Sequence, residues 1–100
     1  MGKDIRTYYA EFNDESMRIF FSLFNEFRNE TGNINRGNNE NVFQMLRAKY
    51  IAVLKQRLGR SAETLIQQCD SAESQGRLRI GFSEKINYLS AEFLRKSGLL

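Results

Sequence analysis

The chain has 100 residues, of which 41% are hydrophobic and 27% are charged, and its formal net charge is +3. This length corresponds to one domain, and the apolar content is sufficient for a packed core without metals or disulfides. The chain has no histidine and a single cysteine, Cys69, which excludes Ser-His-Asp and Cys-His catalysis within one chain and a zinc site built from Cys and His.

The compartment is predicted from what the sequence lacks. No apolar run approaches the roughly 18 residues of a transmembrane helix, and no signal-peptide pattern opens the chain. A lone cysteine agrees with a reducing environment. We therefore expect a cytoplasmic protein, or one in another reducing intracellular compartment, with no cofactor, no metal and no membrane association.

The first helical pattern starts at Ile5, where Ile, Tyr, Tyr and Phe occupy the i, i+3, i+4 and i+7 positions. Asn13 and the two acids after it are typical of a helix N-terminus instead. We predict a short helix at 4–11, a break near Asn13 and a main helix at 14–29. One bent helix from 4 to 29 is the alternative.

The stretch 17–27 is unusually apolar for one helix. On a helical wheel its seven apolar side chains fill an arc of about 200°, whereas a helix packed on one side needs a stripe of roughly 100°. The stretch is therefore predicted to be the central helix of the domain or half of a subunit interface.

Glycine and asparagine dominate residues 31–39, which predicts a loop. Its G-x4-G spacing is that of a phosphate-binding loop, but the Lys and Ser/Thr required after the second glycine are absent. Apolar residues at helical spacing then predict a second long helix at 40–58, with Gly59 at its C′ position.

The last forty residues are predicted to hold two helices and a linker. Ser61 is the expected N-cap of a third helix at 62–74. Residues 76–82 alternate basic and apolar side chains, which favours an extended or irregular linker. Ser83 is the expected N-cap of a last helix at 84–97.

These patterns predict an all-α fold: a small irregular helical bundle of three long helices plus a short N-terminal helix. Residues 1–100 are expected to form a single helical domain, with the Gly/Asn-rich loop at 31–39.

Charge is unevenly distributed along the chain. Residues 1–30 carry six acids and four basic residues, whereas residues 36–60 carry six basic residues and one acid. Either the first and second long helices are neighbours with complementary fields, or the basic segment contacts an acidic partner.

Protein–protein association is the first functional prediction. Seven of the twelve aromatic residues fall in the first 27 residues, where they either fill the core or lie partly at an interface. We predict a small non-enzymatic protein of regulatory or adaptor type, which forms a homodimer or binds another protein. The predicted interface residues are Tyr9, Phe20, Phe21, Phe24 and Phe27.

Nucleic-acid binding is the alternative. Ten of the fifteen basic residues are arginine, which suits bidentate contacts with phosphate, although a solvated basic face is the simpler interpretation. The candidate residues are Arg36, Lys49, Lys55, Arg60, Arg77 and Arg79.

Overall fold

Three helices form the fold of the computed structural model, which describes residues 3–100, and each is antiparallel to the one before it, so that the first and third run parallel. They are α1 (Ile5–Thr31), α2 (Arg36–Gln67) and α3 (Ala72–Gly98). The bundle measures 57 × 17 × 17 Å, and its radius of gyration is 16.0 Å. A globular chain of this length has a radius of gyration of about 13 Å, so the bundle is a thin rod. The all-α prediction is confirmed.

The predicted short N-terminal helix is wrong, because α1 continues through Asn13 without a break. Phe12, Ser16 and Phe20 are all buried at i+4 spacing, so one straight stripe faces the core on both sides of the expected break. The Ser16 hydroxyl donates to the Asn13 carbonyl at 3.0 Å. Burial of the continuous stripe therefore outweighs the capping preference of asparagine.

The loop between α1 and α2 is shorter than the predicted 31–39, because only residues 32–35 connect the two helices. The Asn35 side chain caps α2 by accepting from the Gly37 amide at 3.0 Å. Asn39 has non-helical dihedral angles, φ −128° and ψ 38°, in the first turn of α2. It is the one residue of α2 within the predicted loop that departs from helical geometry.

The predicted boundary at Gly59 and Ser61 is also wrong, since α2 continues through both residues. Leu58, Ala62 and Ile66 are buried at i+4 spacing across this boundary. No glycine in the described part of the chain has a positive φ, so Gly59 does not adopt the left-handed conformation of a C′ residue.

Replacing Gly59 with alanine is expected to raise the free energy of unfolding by roughly 0.5–1 kcal/mol, because alanine favours a helix interior over glycine. A Cβ at this position would meet no atom within 4 Å. Urea unfolding followed by circular dichroism measures the change. A loss of stability would contradict a helical Gly59, because a C′ glycine in the left-handed region resists substitution.

The second turn lies at residues 68–71, and α3 begins much earlier than predicted. The Ser71 side chain accepts from the Ser74 amide at 3.3 Å and caps α3. The segment 76–82, which was predicted to be extended or irregular, is helical. Leu78 and Phe82 are buried within it at i+4 spacing. Their packing against residues of α1 and α2 stabilises the helical conformation of this segment.

The core runs along the rod axis as two clusters of buried side chains. The cluster near the α1–α2 turn is formed by Phe20, Leu23, Phe27, Phe43, Leu54, Leu58, Leu89 and Phe93. The cluster near the α2–α3 turn is formed by Tyr8, Phe12, Ala62, Ile66, Leu78 and Phe82. Ile86 packs against both, so the two clusters are continuous.

Acidic side chains of α1 and basic side chains of α2 line opposite walls of the surface groove between these helices. Glu11 and Glu15 lie on the α1 wall together with Arg18, which pairs with Glu15 at 3.4 Å, and Arg57 and Arg60 lie on the α2 wall. The acid-rich part of α1 and the basic part of α2 are thus neighbours in the fold.

Tyr50 joins α2 to α1 by donating its hydroxyl to the Glu30 carboxylate. This hydrogen bond, together with partial burial, raises the pKa of Tyr50 to about 12. A tyrosine in an unfolded chain ionises near pH 10, so the stabilisation is complete below about pH 10 and is lost as the pH rises towards 12.

We expect a tyrosine ionisation step near pH 12 in a spectrophotometric titration, because the pKa of Tyr50 is about 12. The Tyr50→Phe variant should lose that step and show a weaker fall of stability across the same pH range. A Tyr50→Phe variant that keeps the step near pH 12 would contradict the Tyr50–Glu30 bond.

Candidate functional site: an association surface

One side of the rod, between α1 and α3, carries partly exposed aromatic side chains. On α3 it is formed by residues 81, 85, 88, 92 and 96, which recur at three- and four-residue spacing and share one face. Both ends of this stripe touch α1, through Gly81 and through Lys96. We call this side the α1–α3 surface; its aromatic members are Tyr9, Phe21, Phe24 and Tyr88.

Tyr9 lies across α3 at one end of the α1–α3 surface. Its hydroxyl donates to the Arg77 carbonyl at 3.0 Å, and its ring meets the Phe82 ring edge-on at 5.6 Å. A Cβ at position 81 would come within 2.4 Å of the Tyr9 ring, so Gly81 makes this close approach possible. Tyr9 remains 37% exposed, and its outer ring face borders a hollow that Asn13 and Lys85 also line.

Phe21 and Tyr88 are the most exposed aromatic residues of the described chain, at 51% and 59%. Phe21 is held at its inner edge by a T-shaped contact with Phe20, whose ring centroid is 5.6 Å away. Each exposed ring has a lysine beside it: the Lys96 ammonium lies 5.8 Å from the Phe21 centroid, and the Lys85 ammonium lies 5.7 Å from the Tyr88 centroid. The surface therefore combines exposed aromatic area with positive charge.

The acid on this stripe, Glu92, is already paired. Arg95 donates to it at 3.1 and 2.9 Å, and this hydrogen bonding holds the pKa of the Glu92 carboxyl below its usual range. Lys85 and Lys96 add two positive charges to the surface, and the charge of Lys96 also helps to lower the pKa of the Glu92 carboxyl.

The five predicted interface residues fall into three groups. Tyr9 and Phe21 are exposed, Phe24 is half-buried, and Phe20 and Phe27 are buried in the core at 1% and 0% exposure. The structure therefore brings Tyr9, Phe21 and Phe24 to one surface and uses the other two rings for the core. Phe20 and Phe27 have no surface to offer a partner while the bundle is folded.

Tyr88 was missed by sequence reasoning. It lies off the stripe of α3 that contains Leu89 and Phe93, and its only signal is an aromatic residue on an otherwise polar helix face. Gly81 and Lys96 lie on the same face of α3 and contact α1, and these contacts place Tyr88 beside α1.

The predicted nucleic-acid-binding residues are spread over the rod. Arg36, at the start of α2, pairs with Glu40 at 2.8 Å, and its guanidinium carbon lies 4.1 Å from the Phe43 ring centroid. Arg77 and Arg79, at the start of α3, pair with Glu73 and Glu63 at the opposite end of the rod.

Lys49, Lys55 and Arg60 have no carboxylate within 4.0 Å among residues 3–100. Half of the six predicted residues thus make intramolecular ion pairs, and the structure does not gather the set into one site.

Among residues 3–100, no group of three or more Cys, Asp or Glu side chains is arranged to hold a metal ion. None of the three helices of residues 3–100 contains a segment long and apolar enough to cross a membrane. Comparison of the chain with protein-family models, curated proteins and solved structures found no match.

Proposed function

We propose that this protein acts through protein–protein association, as a small non-enzymatic regulatory or adaptor protein, and that its α1–α3 surface binds the same surface of a second copy. The exposure of Phe21 and Tyr88 on one side of the rod carries this proposal. Aromatic residues are enriched at interfaces, since their large rigid rings bury much area at a small cost in conformational entropy.

The shape of the molecule supports lateral association. Its accessible surface is 6445 Å², whereas a compact monomer of the same mass exposes about 5,900 Å². A 57 × 17 Å side of the rod is large enough for a standard interface, which takes about 800 Å² from each partner. A second copy would therefore cover surface that a three-helix rod leaves open.

Light scattering behind size exclusion tests the proposal. At high protein concentration the measured mass should be twice the 11.7 kDa of one chain. A mass that stays at 11.7 kDa at every concentration would contradict self-association.

Salt should strengthen the proposed dimer. Lys85 and Lys96 of the two copies would meet across the same surface, and added ions screen their repulsion. Sedimentation equilibrium at low and high ionic strength measures the dissociation constant, which we expect to fall as salt rises. A dissociation constant that rises with salt would contradict this arrangement. It would indicate that the α1–α3 surface binds an acidic surface of the second copy rather than the same cationic surface.

A further inference from the structure

A second groove, on a different side of the rod, lies between α2 and α3. Four apolar residues form much of its lining, namely Ala48, Ile51, Ala52 and Leu94, and its volume is about 440 Å³. Met45 precedes Ala48 and Ala52 at the helical spacing i, i+3, i+7, and its side chain is 72% exposed. The groove therefore has an exposed apolar border in addition to an apolar floor.

The charge of this groove is positive. Arg47 and Lys55 line it, and no carboxylate does. The Arg47 guanidinium is fixed by neutral acceptors, since it donates to the Ser97 hydroxyl at 2.7 Å and to the Leu94 carbonyl. Its third partner is the Gln44 side-chain oxygen at 3.3 Å. The cation is thus held in position by neutral groups and has no carboxylate within 4.0 Å among residues 3–100. The acid that feels its charge, Glu40, already accepts hydrogen bonds from Arg36 and Gln44.

The surrounding sequence adds to this field. Between Glu40 and Glu63, α2 contains no acid and five basic residues. A partner that enters the groove therefore meets positive charge along the neighbouring turns of α2.

The small side chains favour a helical occupant. Ala48 and Ala52 are one helical turn apart and exposed, and Ala91 on α3 is exposed as well. Small residues let the backbone of a further helix approach closely, and an amphipathic helix in a groove between two helices is a common mode of recognition. None of the seven lining residues is aromatic, so the groove offers no ring on which a nucleic-acid base would stack.

We propose that the α2–α3 groove binds an acidic amphipathic helix of another protein. Apolar side chains of that helix occupy the space above Ala48 and Ala52, and carboxylates along its edge pair with Lys55 and Arg47. This interaction uses a side of the rod other than the α1–α3 surface, so it does not depend on self-association.

The test uses the full chain and a fluorescein-labelled synthetic helix whose leucine and alanine face is bordered by glutamates. A second peptide carries glutamine at every glutamate position. Fluorescence anisotropy measures both affinities at low and high salt. We expect the glutamate peptide to bind about tenfold more tightly than the glutamine peptide at low salt, and this preference should shrink at high salt.

Two charge-reversal variants of α2 distinguish binding in the groove from a general attraction to the positive charge of α2. Lys55→Glu places a carboxylate in the groove and should weaken binding of the glutamate peptide about tenfold. Lys49→Glu makes the same change on an exposed residue of α2 outside the groove and should alter the affinity by less than about twofold. Because both lysines are exposed, both variants should keep the helical circular-dichroism spectrum of the parent.

Three results would overturn the proposal: no binding of the glutamate peptide, equal binding of the two peptides, or equal losses in the two variants. A single-stranded oligonucleotide serves as competitor. If it binds more tightly than the glutamate peptide and both lysine variants weaken it equally, the basic residues of α2 form a nucleic-acid surface instead.

Discussion

Replacing Phe93 with alanine is expected to lower the free energy of unfolding by about 3–5 kcal/mol, the range observed for large-to-small changes at buried aromatic positions. Phe93 is fully buried, and its ring centroid lies 5.9, 5.3 and 5.5 Å from those of Phe20, Phe24 and Phe27. Truncation would leave a cavity among these three rings of α1, and urea unfolding measures the loss.

The neighbouring residue provides the control. Leu94 is 46% exposed, so Leu94→Ala should cost less than about 1 kcal/mol. Similar losses for the two variants would contradict the register of α3, because that register places Phe93 inside the core and Leu94 beside it.

Replacing both Phe21 and Tyr88 with serine is expected to convert the proposed dimer into a monomer. Removing a central aromatic residue from an interface commonly costs about 2 kcal/mol or more, and a dimer loses each side chain twice. The dissociation constant should therefore rise by at least about 100-fold. Because both rings are largely exposed in the single chain, the stability of the monomer should change little.

Met45→Ser provides a matched control for self-association. Met45 is a large exposed apolar residue on α2, outside the α1–α3 surface. This substitution should leave the dissociation constant unchanged. If Met45→Ser disrupts the dimer and the double variant does not, self-association involves α2 rather than the α1–α3 surface.

Much of the fold could be predicted from periodicity, but the helix boundaries could not. Asn13, Gly59 and Ser61 all carry local signals for helix termini, and all three lie inside helices. Local capping preferences are worth about 1 kcal/mol each, whereas one fully buried apolar side chain contributes roughly 1.5–3 kcal/mol. The stripes through Phe12 and Leu58 therefore decide the outcome, and a single sequence does not show which stripes find partners.

The turns were misplaced for a related reason. Residues 76–82 alternate basic and apolar side chains, a pattern typical of a strand. The same segment also places Leu78 and Phe82 four residues apart, the spacing of one helix face. Only the tertiary contacts of these two residues with α1 and α2 distinguish the alternatives. Asn35 and Ser71 do cap helices, but many other polar residues carry the same signal.

The candidate surface was predicted in part. The apolar arc over 17–27 was wide because it faces two environments: Phe20 and Phe27 face the core, and Phe21 lies outside it. A helical wheel shows the width of the arc but not which edge is covered. Tyr88 joins the surface only through the packing of α3 on α1, which no pattern within either helix encodes.

An isotope-filtered NOE experiment on a mixture of labelled and unlabelled chains tests the central claim most directly. Such an experiment detects only contacts between two different copies. The association proposed here predicts intermolecular NOEs at the ring protons of Phe21 and Tyr88. Intermolecular NOEs confined to α2 residues such as Met45, or none at a concentration where the mass is that of a dimer, would contradict it.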